Sequence, residues 1–289
     1  MTRPLRDRCR PSETTGGLGW KRFWSFQTCT SAKRARRLPV WTRSSGSGRR
    51  WNMPSPVTAM PNALFCWAIS PMPESGPNTD GLRPCWDRVT IPIVPCLGNH
   101  DRREAFQAVF PDAPQIDSGH VQAVRDLDRH RLITLDTLDG PPYKADAHGG
   151  RLCPARTAML RHALETAGDR LPLVFSHHPA AKTGLVALDE IRLQDGRALL
   201  DLLAAHPGAH LVSGHLHRLV SGSSRGVPYT ILTSTCHQNE LDFVGEAFGP
   251  VTDGPGAYGV IGLRKNGVTV HMEPFGTGAR PFGPGQALP

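Results

Sequence analysis

Apolar runs of strand length alternate with amphipathic segments of helix length over residues 89–275. Continuous apolar runs predict buried strands, and apolar residues recurring about every three to four positions predict helices. We predict strands at residues 90–97, 131–136, 171–176, 209–213, 228–234, 257–264 and 268–273, and helices at 102–109, 154–167 and 195–205. Asp101 is placed to cap the first helix, and Asn266-Gly267 to form a type I′ turn between the last two strands. Alternating strands and helices predict an α/β fold.

Residues 1–88 do not share this pattern. They contain 15 Lys and Arg against 5 Asp and Glu, whereas residues 89–289 contain 18 against 20. All six tryptophans lie in residues 1–88, and all thirteen histidines lie after them. A basic segment is typical of a tail that binds nucleic acid, but such tails seldom contain this much tryptophan and cysteine. We predict that residues 1–88 and 89–275 are sequences of different origin, followed by a Gly/Pro-rich tail at residues 276–289.

The cysteine content and the hydropathy of the sequence bear on the cellular compartment in which the protein is expected. Seven cysteines without a Cys-x-x-Cys pair argue against a disulfide scaffold and against a structural zinc site. No apolar run reaches the roughly 18 residues of a membrane span, and the first thirty residues contain no apolar signal core. We expect a cytoplasmic protein with no membrane partner, and homo-oligomerisation is left open. Cys96, Cys153 and Cys236 are interpreted as small buried apolar residues.

Three motifs with reactive side chains lie at the ends of predicted strands, where α/β folds place their sites. They are Gly-Asn-His-Asp at residues 98–101, His-His-Pro at 177–179 and Gly-His-Leu-His at 214–217. Each motif alone has an ordinary explanation as a turn, a cap or a pair of surface histidines. Together they predict a metal site, because imidazole and carboxamide groups suit zinc, iron or manganese.

In this order the three motifs resemble those of the calcineurin-like metallophosphoesterases. The resemblance covers about residues 89–244, and the segments at 135–137, 175–179 and 233–238 are similar to the class III cyclic-nucleotide phosphodiesterases and their glycerophosphodiesterase relatives. It implies a four-layer α/β/β/α sandwich. It also implies hydrolysis of 3′,5′-cyclic nucleotides, or related small phosphodiesters, at a binuclear site of iron, manganese, zinc or cobalt.

The resemblance implies roles for six side chains. Four are implied metal ligands: Asn99, His177 and His215 for one ion, and His217 for the other. His100 is implied to protonate the leaving alkoxide or to stabilise its charge. His237 is a candidate for contact with the substrate, and its alternative interpretation is an ordinary loop histidine on the surface. The second histidine of the His-His-Pro motif, His178, is expected to orient its neighbours rather than to bind the ion.

Two motifs that the family requires, Asp-x-His and Gly-Asp-x-x-Asp, are absent from this chain as it is translated. Both exist in an alternative reading frame. Read from the third base of each codon, the codons of residues 26–31 permit Ser-Asp-Leu-His-Leu, and those of residues 66–73 permit Leu-Gly-Asp-Leu-Thr-Asp-Ala. Both motifs follow apolar residues in that frame and occur in the order that the family requires.

We therefore expect residues 1–88 to be an out-of-frame segment, disordered or non-native, with the first strands of the sandwich missing or garbled. This chain would then bind at most one metal ion and have impaired activity. Two other functions are left open: a degenerate, non-catalytic protein that binds phosphate or nucleotide, and a basic protein that binds nucleic acid through residues 1–88.

Overall fold

Two β-sheets pack face to face in the computed structural model of the protein. The structure describes residues 92–144, 148–245 and 249–275, together with the backbone of two strands at residues 21–27 and 64–69. The predicted boundary at residue 88 and the tail at 276–289 lie outside the described residues, so the division into segments stays a prediction. Among the described residues, no helix combines the length and the apolar character that a membrane crossing requires.

Seventeen elements are described. In chain order they are β1 (Lys21–Gln27), β2 (Leu64–Ile69), β3 (Ile93–Leu97), α1 (Arg103–Val109), β4 (Ala123–Asp126), β5 (His130–Leu135), α2 (Pro154–Glu165), β6 (Leu171–Ser176), α3 (Val186–Glu190), α4 (Gly196–Ala204), β7 (His210–Ser213), β8 (Val220–Ser224), β9 (Val227–Ile231), β10 (Gln238–Asn239), β11 (Val251–Thr252), β12 (Gly256–Arg264) and β13 (Gly267–Phe275).

The strands of each sheet that lead towards the predicted motifs are parallel. The first sheet has the order β13-β12-β1-β2-β3, with β1, β2 and β3 parallel to one another. The second has the order β4-β5-β6-β7-β9-β8, with β5, β6, β7 and β9 parallel. Within each sheet, the carboxyl ends of the parallel strands therefore lie at one edge.

Helices cover the outer face of each sheet and complete four layers. Between the sheets, apolar side chains of β3 and β12 pack against those of β5, β6 and β7. On the outer face of the first sheet, Phe106 of α1 packs with Leu97 and Tyr258. On the outer face of the second sheet, α2 and α4 pack through buried leucines such as Leu160 and Leu203. The predicted α/β/β/α sandwich is confirmed.

The strands and helices predicted over residues 89–275 occur at their predicted places, with ends that differ by a few residues. The first strands of the sandwich are expected to be missing or garbled. They are not missing, because β1 and β2 are strands of the first sheet, whereas the expectation that their sequence is garbled stays a prediction. The strand β2 is an apolar run, and β1 combines Phe23, Trp24 and Phe26 with polar residues. Aromatic residues favour strand backbone whichever frame they derive from.

Two turn predictions need correction. Asp101 does not cap α1, whose N-cap is Arg102; its carboxylate instead accepts the Gly98 amide hydrogen at 2.7 Å and closes the turn after β3. The hairpin between β12 and β13 pairs Arg264 with Gly267, so Asn266 is the second loop residue rather than the first, and the turn is not of type I′. Positive φ angles at two successive loop residues, the I′ pattern, occur instead in the hairpin between β8 and β9.

Candidate metal centre

The three predicted motifs follow strands of both sheets. The Gly-Asn-His-Asp turn follows β3 of the first sheet, whereas the His-His-Pro and Gly-His-Leu-His segments follow β6 and β7 of the second. The chain after β9 leads to Cys236 and His237. Because these strand ends meet where the two sheets face each other, side chains that are far apart in sequence come into contact.

Three donor atoms converge at the first group. The Asn99 Oδ1 atom and the His215 Nδ1 atom each lie 3.0 Å from the His177 Nε2 atom. The His215 Nε2 atom donates its hydrogen to the Ile191 carbonyl oxygen at 3.1 Å, which leaves a lone pair on Nδ1. The His177 Nε2 atom thus lies within 3.0 Å of both a carboxamide oxygen and a second imidazole nitrogen, and these are donor types that suit a divalent transition-metal ion.

The surroundings of His177 fit a ligand role. A Cβ atom at Gly98 would lie 2.8 Å from the ring of His177, so only glycine lets the ring lie this close to the backbone. The His177 Nδ1 atom is buried and has no hydrogen-bond partner among the described residues. Among the described residues, the ring is therefore held by its packing and by its Nε2 atom, which faces the other two donors, and not by the Nδ1 hydrogen bond that usually orients a metal-binding histidine.

His178 lies beside the same point, but both of its ring nitrogens have partners. Thr137 Oγ1 lies 2.7 Å from His178 Nδ1, and the His148 carbonyl oxygen lies 3.1 Å from His178 Nε2. The ring therefore has no nitrogen available for an ion. It packs edge-on against His177, with ring centroids 4.9 Å apart.

A second group of donor atoms contains His217, Cys236 and His237. The His217 Nδ1 atom lies 3.0 Å from His237 Nε2, and the Cys236 sulfur lies 3.3 Å from His237 Nδ1. Cys236 is buried as expected, but its sulfur also lies 3.0 Å from the Ser234 hydroxyl, so its interpretation as a purely apolar residue is incomplete.

The Gly-His-Leu-His segment has a strained backbone that neighbouring residues hold in place. His215 and His217 have φ angles of 72° and 51°, a left-handed conformation that is unusual for residues other than glycine. Asn239 fixes this turn by donating its backbone hydrogen to the His217 carbonyl and its side-chain hydrogen to the Leu216 carbonyl, both at 3.0 Å. Strain of this kind persists where the surroundings determine it, and it is typical of functional sites.

The structure adds His148, which the sequence analysis did not single out. The Asn99 Nδ2 atom lies 3.0 Å from the His148 Nδ1 atom, so Asn99 donates to His148 and its Oδ1 atom points towards His177. The His148 ring also lies beside His100, with centroids 5.6 Å apart. The sequence around His148, a histidine followed by two glycines in a loop, does not by itself indicate a residue of a metal site.

Burial keeps the histidines of the site neutral. It lowers the pKa of His177 and of His215 well below the ordinary value, with further lowering by neighbouring histidines. Burial likewise lowers the pKa of His178 to about 3 and that of His217 to about 4. Burial and His148 also lower the pKa of His100. Neutral imidazole is the form that binds a metal ion.

Comparison with known proteins gives consistent relatives, although no family model matches the sequence. The chain is 38% identical over 201 residues to a probable cyclic nucleotide phosphodiesterase of Rhodopseudomonas palustris, a match that spans 69% of this chain and 72% of that protein. It is 28% identical over 196 residues to a probable glycerophosphodiester phosphodiesterase of Arcobacter nitrofigilis, spanning 66% and 70%. It is 31% identical to a 3′,5′-cyclic adenosine monophosphate phosphodiesterase of Pseudomonas aeruginosa, spanning 52% and 54%.

Solved structures support the fold. A dimetal phosphatase from Danio rerio superimposes with a TM-score of 0.52 at 11% identity, over 86% of this chain and 98% of that one. The GAP50 anchor of the Plasmodium inner membrane complex superimposes with a TM-score of 0.55 at 13% identity, over 90% and 86%. At such low identity these similarities concern the architecture alone.

Proposed function

Because the chain belongs to the calcineurin-like family of cyclic-nucleotide and glycerophosphodiester phosphodiesterases, we propose that it is a metal-dependent phosphodiesterase of 3′,5′-cyclic nucleotides or related small phosphodiesters. The observation that carries the proposal is that Asn99 Oδ1, from the first sheet, and His215 Nδ1, from the second, each lie 3.0 Å from His177 Nε2. Its substrate class rests on the relatives' names.

Asn99, His177 and His215 would hold one ion, and His217 would take part in holding a second. Iron, manganese, zinc and cobalt all accept imidazole and carboxamide ligands. Such ions, when bound, neutralise phosphate charge and lower the pKa of water so that hydroxide is available near neutral pH. Asn99 is kept in the required orientation by His148, and His215 by the Ile191 carbonyl oxygen.

His100 is the residue that we assign to proton transfer. It lies in the turn after β3, next to Asn99, and its ring contacts that of His148. An anionic phosphodiester beside the ring would raise the lowered pKa of His100, because a nearby negative charge favours the protonated form. The ring nitrogen can then donate that proton to the leaving alkoxide.

We also propose that residues 1–88 are read out of frame. The strands β1 and β2 support this, because the alternative frame begins its Asp-x-His motif within the last residues of β1 and its Gly-Asp motif within β2. Both strands are parallel neighbours of β3, whose carboxyl end leads to Asn99. In addition, nearly a third of the chain has no counterpart in the match to the Rhodopseudomonas protein.

The out-of-frame reading changes which partners we expect. The basic charge of residues 1–88 would have no functional meaning, so a small phosphodiester is the proposed partner rather than nucleic acid. A cytoplasmic location is proposed on the cysteine pattern, which lacks the spacing of a disulfide scaffold.

The test compares this chain with a protein in which the alternative frame is read up to residue 88. With manganese present, the restored protein is expected to hydrolyse 3′,5′-cyclic AMP and bis(p-nitrophenyl) phosphate, and this chain to remain near background. In the restored protein, His177→Ala should abolish turnover, whereas His162→Ala on the exposed face of α2 should not.

Each proposal has its own contrary outcome. A folded, restored protein that binds nucleotide without turnover contradicts the enzyme function and favours a degenerate binder. Robust manganese-dependent hydrolysis by this chain contradicts the out-of-frame proposal, as does coding DNA that shows no insertion or deletion on resequencing across codons 20 to 95.

A further inference from the structure

Cys153 lies at the amino end of α2 and belongs to neither group of donor atoms described above. It is only partly buried, unlike Cys96 and Cys236, so its interpretation as a buried apolar residue is wrong. We propose that Cys153 is a thiolate at neutral pH and a site of reversible oxidation by hydroperoxides. The inference goes beyond the proposed phosphodiesterase function and does not depend on it.

Two side chains direct hydrogen-bond donors at the sulfur. Arg156 Nε donates to Cys153 Sγ at 3.4 Å, and His120 Nε2 lies 3.9 Å from the same sulfur. Burial and the charge of Arg156 lower the pKa of His120, which keeps its ring neutral. The Ser118 hydroxyl lies 2.9 Å from His120 Nδ1. With this hydroxyl as the donor to Nδ1, the ring carries its hydrogen on Nε2, on the side of the sulfur.

The charges around Arg156 call for a second anion. The Arg156 side chain is 4% exposed, and its Nη1 atom donates to the carbonyl oxygens of Asp136 and Leu138. Its nearest carboxylate oxygen, on Asp136, is 3.8 Å away, and both oxygens of that carboxylate already accept hydrogen bonds from Arg103. In the ion pairs that the described residues form here, two buried arginines thus share one carboxylate. Because a buried charge is costly unless it is paired, a thiolate at Cys153 supplies the missing negative charge.

The local environment of the sulfur agrees with this charge balance. Burial raises the pKa of the Cys153 thiol, but the amide and guanidinium groups of Arg156 lower it by more, so that it lies below its ordinary value. Cys153 is also the N-cap residue of a helix of 12 residues, an end at which the peptide dipoles favour negative charge. Reactive cysteines occupy electropositive, partly exposed positions of this kind.

The oxidation is an attack of the thiolate sulfur on the outer oxygen of a hydroperoxide. A sulfur–oxygen bond forms, the oxygen–oxygen bond breaks, and the sulfur gives up two electrons. The outer oxygen keeps its hydrogen, so the product is a sulfenic acid, and the alkoxide that leaves takes a proton from water. Two molecules of a thiol then reduce the sulfenic acid, forming their own disulfide and water and restoring Cys153.

The first test measures how fast iodoacetamide alkylates Cys153 in the folded full chain as the pH is varied. Trypsin releases residues 152–156 as a peptide with this cysteine alone, so mass spectrometry separates it from the other six. Between pH 7.5 and 8.5 the rate is expected to rise by at most about twofold, against about fivefold for a thiol of ordinary pKa. Arg156→Met, which removes the neighbouring positive charge, should restore the steeper rise.

The second test treats the folded chain with hydrogen peroxide and traps sulfenic acid with dimedone. The label is expected on Cys153 and not on the buried Cys96, and dithiothreitol added before dimedone should prevent it. Cys153→Ser is the matched control, because serine is a favoured N-cap and cannot take the label.

Three outcomes would overturn the inference. The first is a fivefold rise of the alkylation rate in the wild type. The second is a folded Arg156→Met variant with an unchanged pH profile. The third is dimedone labelling that spares Cys153 or reaches Cys96 equally. If Arg156→Met does not fold, the ultraviolet absorbance of thiolate is compared between the wild type and Cys153→Ser at pH 7.5. An excess in the wild type is expected, and equal absorbance would contradict the thiolate.

Discussion

Replacing Asp136 with alanine is expected to destabilise the protein far more than replacing Asp126 with alanine. Each of the two carboxylates nevertheless accepts two hydrogen bonds from an arginine of its own. Arg103 donates to Asp136 from Nε at 2.7 Å and from Nη2 at 3.0 Å. Arg131 donates to Asp126 from Nε at 2.6 Å and from Nη2 at 2.8 Å. The two pairs differ in burial: the Asp136 side chain is 0% exposed and the Asp126 side chain is 42% exposed.

Burial determines the expected magnitude. Asp136 also accepts the amide hydrogens of Val121 and Leu138, at 3.0 and 3.1 Å, so its loss leaves buried donors without an acceptor. Removing one partner of a buried ion pair costs about 3–5 kcal/mol. The Arg131 side chain is also buried, but the Asp126 carboxylate is exposed and water can replace it, so that pair contributes roughly 0–1 kcal/mol. At about 2–4 °C per kcal/mol for a domain of this size, Asp136→Ala lowers Tm by about 6–20 °C and Asp126→Ala by at most about 4 °C.

The assay is thermal unfolding followed by circular dichroism, with each variant compared with the wild type at pH 7 in the same buffer. Asp136→Asn, which keeps the shape and one acceptor oxygen, should fall between the wild type and Asp136→Ala. Equal losses of Tm for Asp136→Ala and Asp126→Ala would refute the reasoning from burial. Raised salt should reduce the effect of Asp126→Ala but not that of Asp136→Ala, because solvent ions reach the exposed Asp126 carboxylate and not the buried Asp136 carboxylate.

Three further predictions concern the site. His148→Ala should weaken divalent-ion binding about tenfold by freeing the Asn99 amide, whereas His148→Gln, which can still accept from that amide, should restore most of it in isothermal titration. Gly98→Ala should reduce binding of the first ion in the same assay without large loss of Tm, because the added Cβ atom lies 2.8 Å from the His177 ring. Stability should fall as pH drops below about 6.5, because the unfolded chain takes up protons there while His178 stays neutral in the fold down to its pKa of about 3; a Tm that is constant between pH 7 and pH 4 would contradict this assignment.

The sequence predicts most strands and helices of residues 89–275 correctly, because the hydrophobic pattern of each element can be recognised within that element. The runs that form β6 and β7 are apolar over their whole length, and the leucines of α4 recur at helical spacing, so each element can be recognised alone. The sequence does not predict the short helix α3 or the strands β4, β8, β10 and β11. The helix and the two-residue strands are too short to show a period, and β4 and β8 are mostly polar and partly exposed. The role of Asp101 in its turn is also predicted wrongly. Its carboxylate accepts the Gly98 amide hydrogen instead of capping α1, and the sequence does not show which amide lies nearest to a side chain.

The site was predictable to the extent that its residues fall within motifs. We expect Asn99, His177 and His215 to lie together, and the structure brings Asn99 and His215 each within hydrogen-bonding distance of His177. His148 and Cys236 could not be identified as members of the site, because each reaches it through the folding of a loop. A buried thiol and a buried methyl-sized side chain look alike in a single sequence. The contact between the Cys236 sulfur and His237, which only the structure shows, identifies Cys236 as more than an apolar core residue.

The proposed ligands of the first ion come from both sheets, and this has a thermodynamic consequence. Asn99 follows β3 of the first sheet, whereas His177 and His215 follow β6 and β7 of the second. An ion at their meeting point cross-links the two halves of the sandwich, so the sheets cannot part without releasing it. At a free concentration about a hundred times its Kd, such an ion adds about 2.7 kcal/mol to the free energy of unfolding. A chelator would therefore act on this protein as a denaturant as well as an inhibitor.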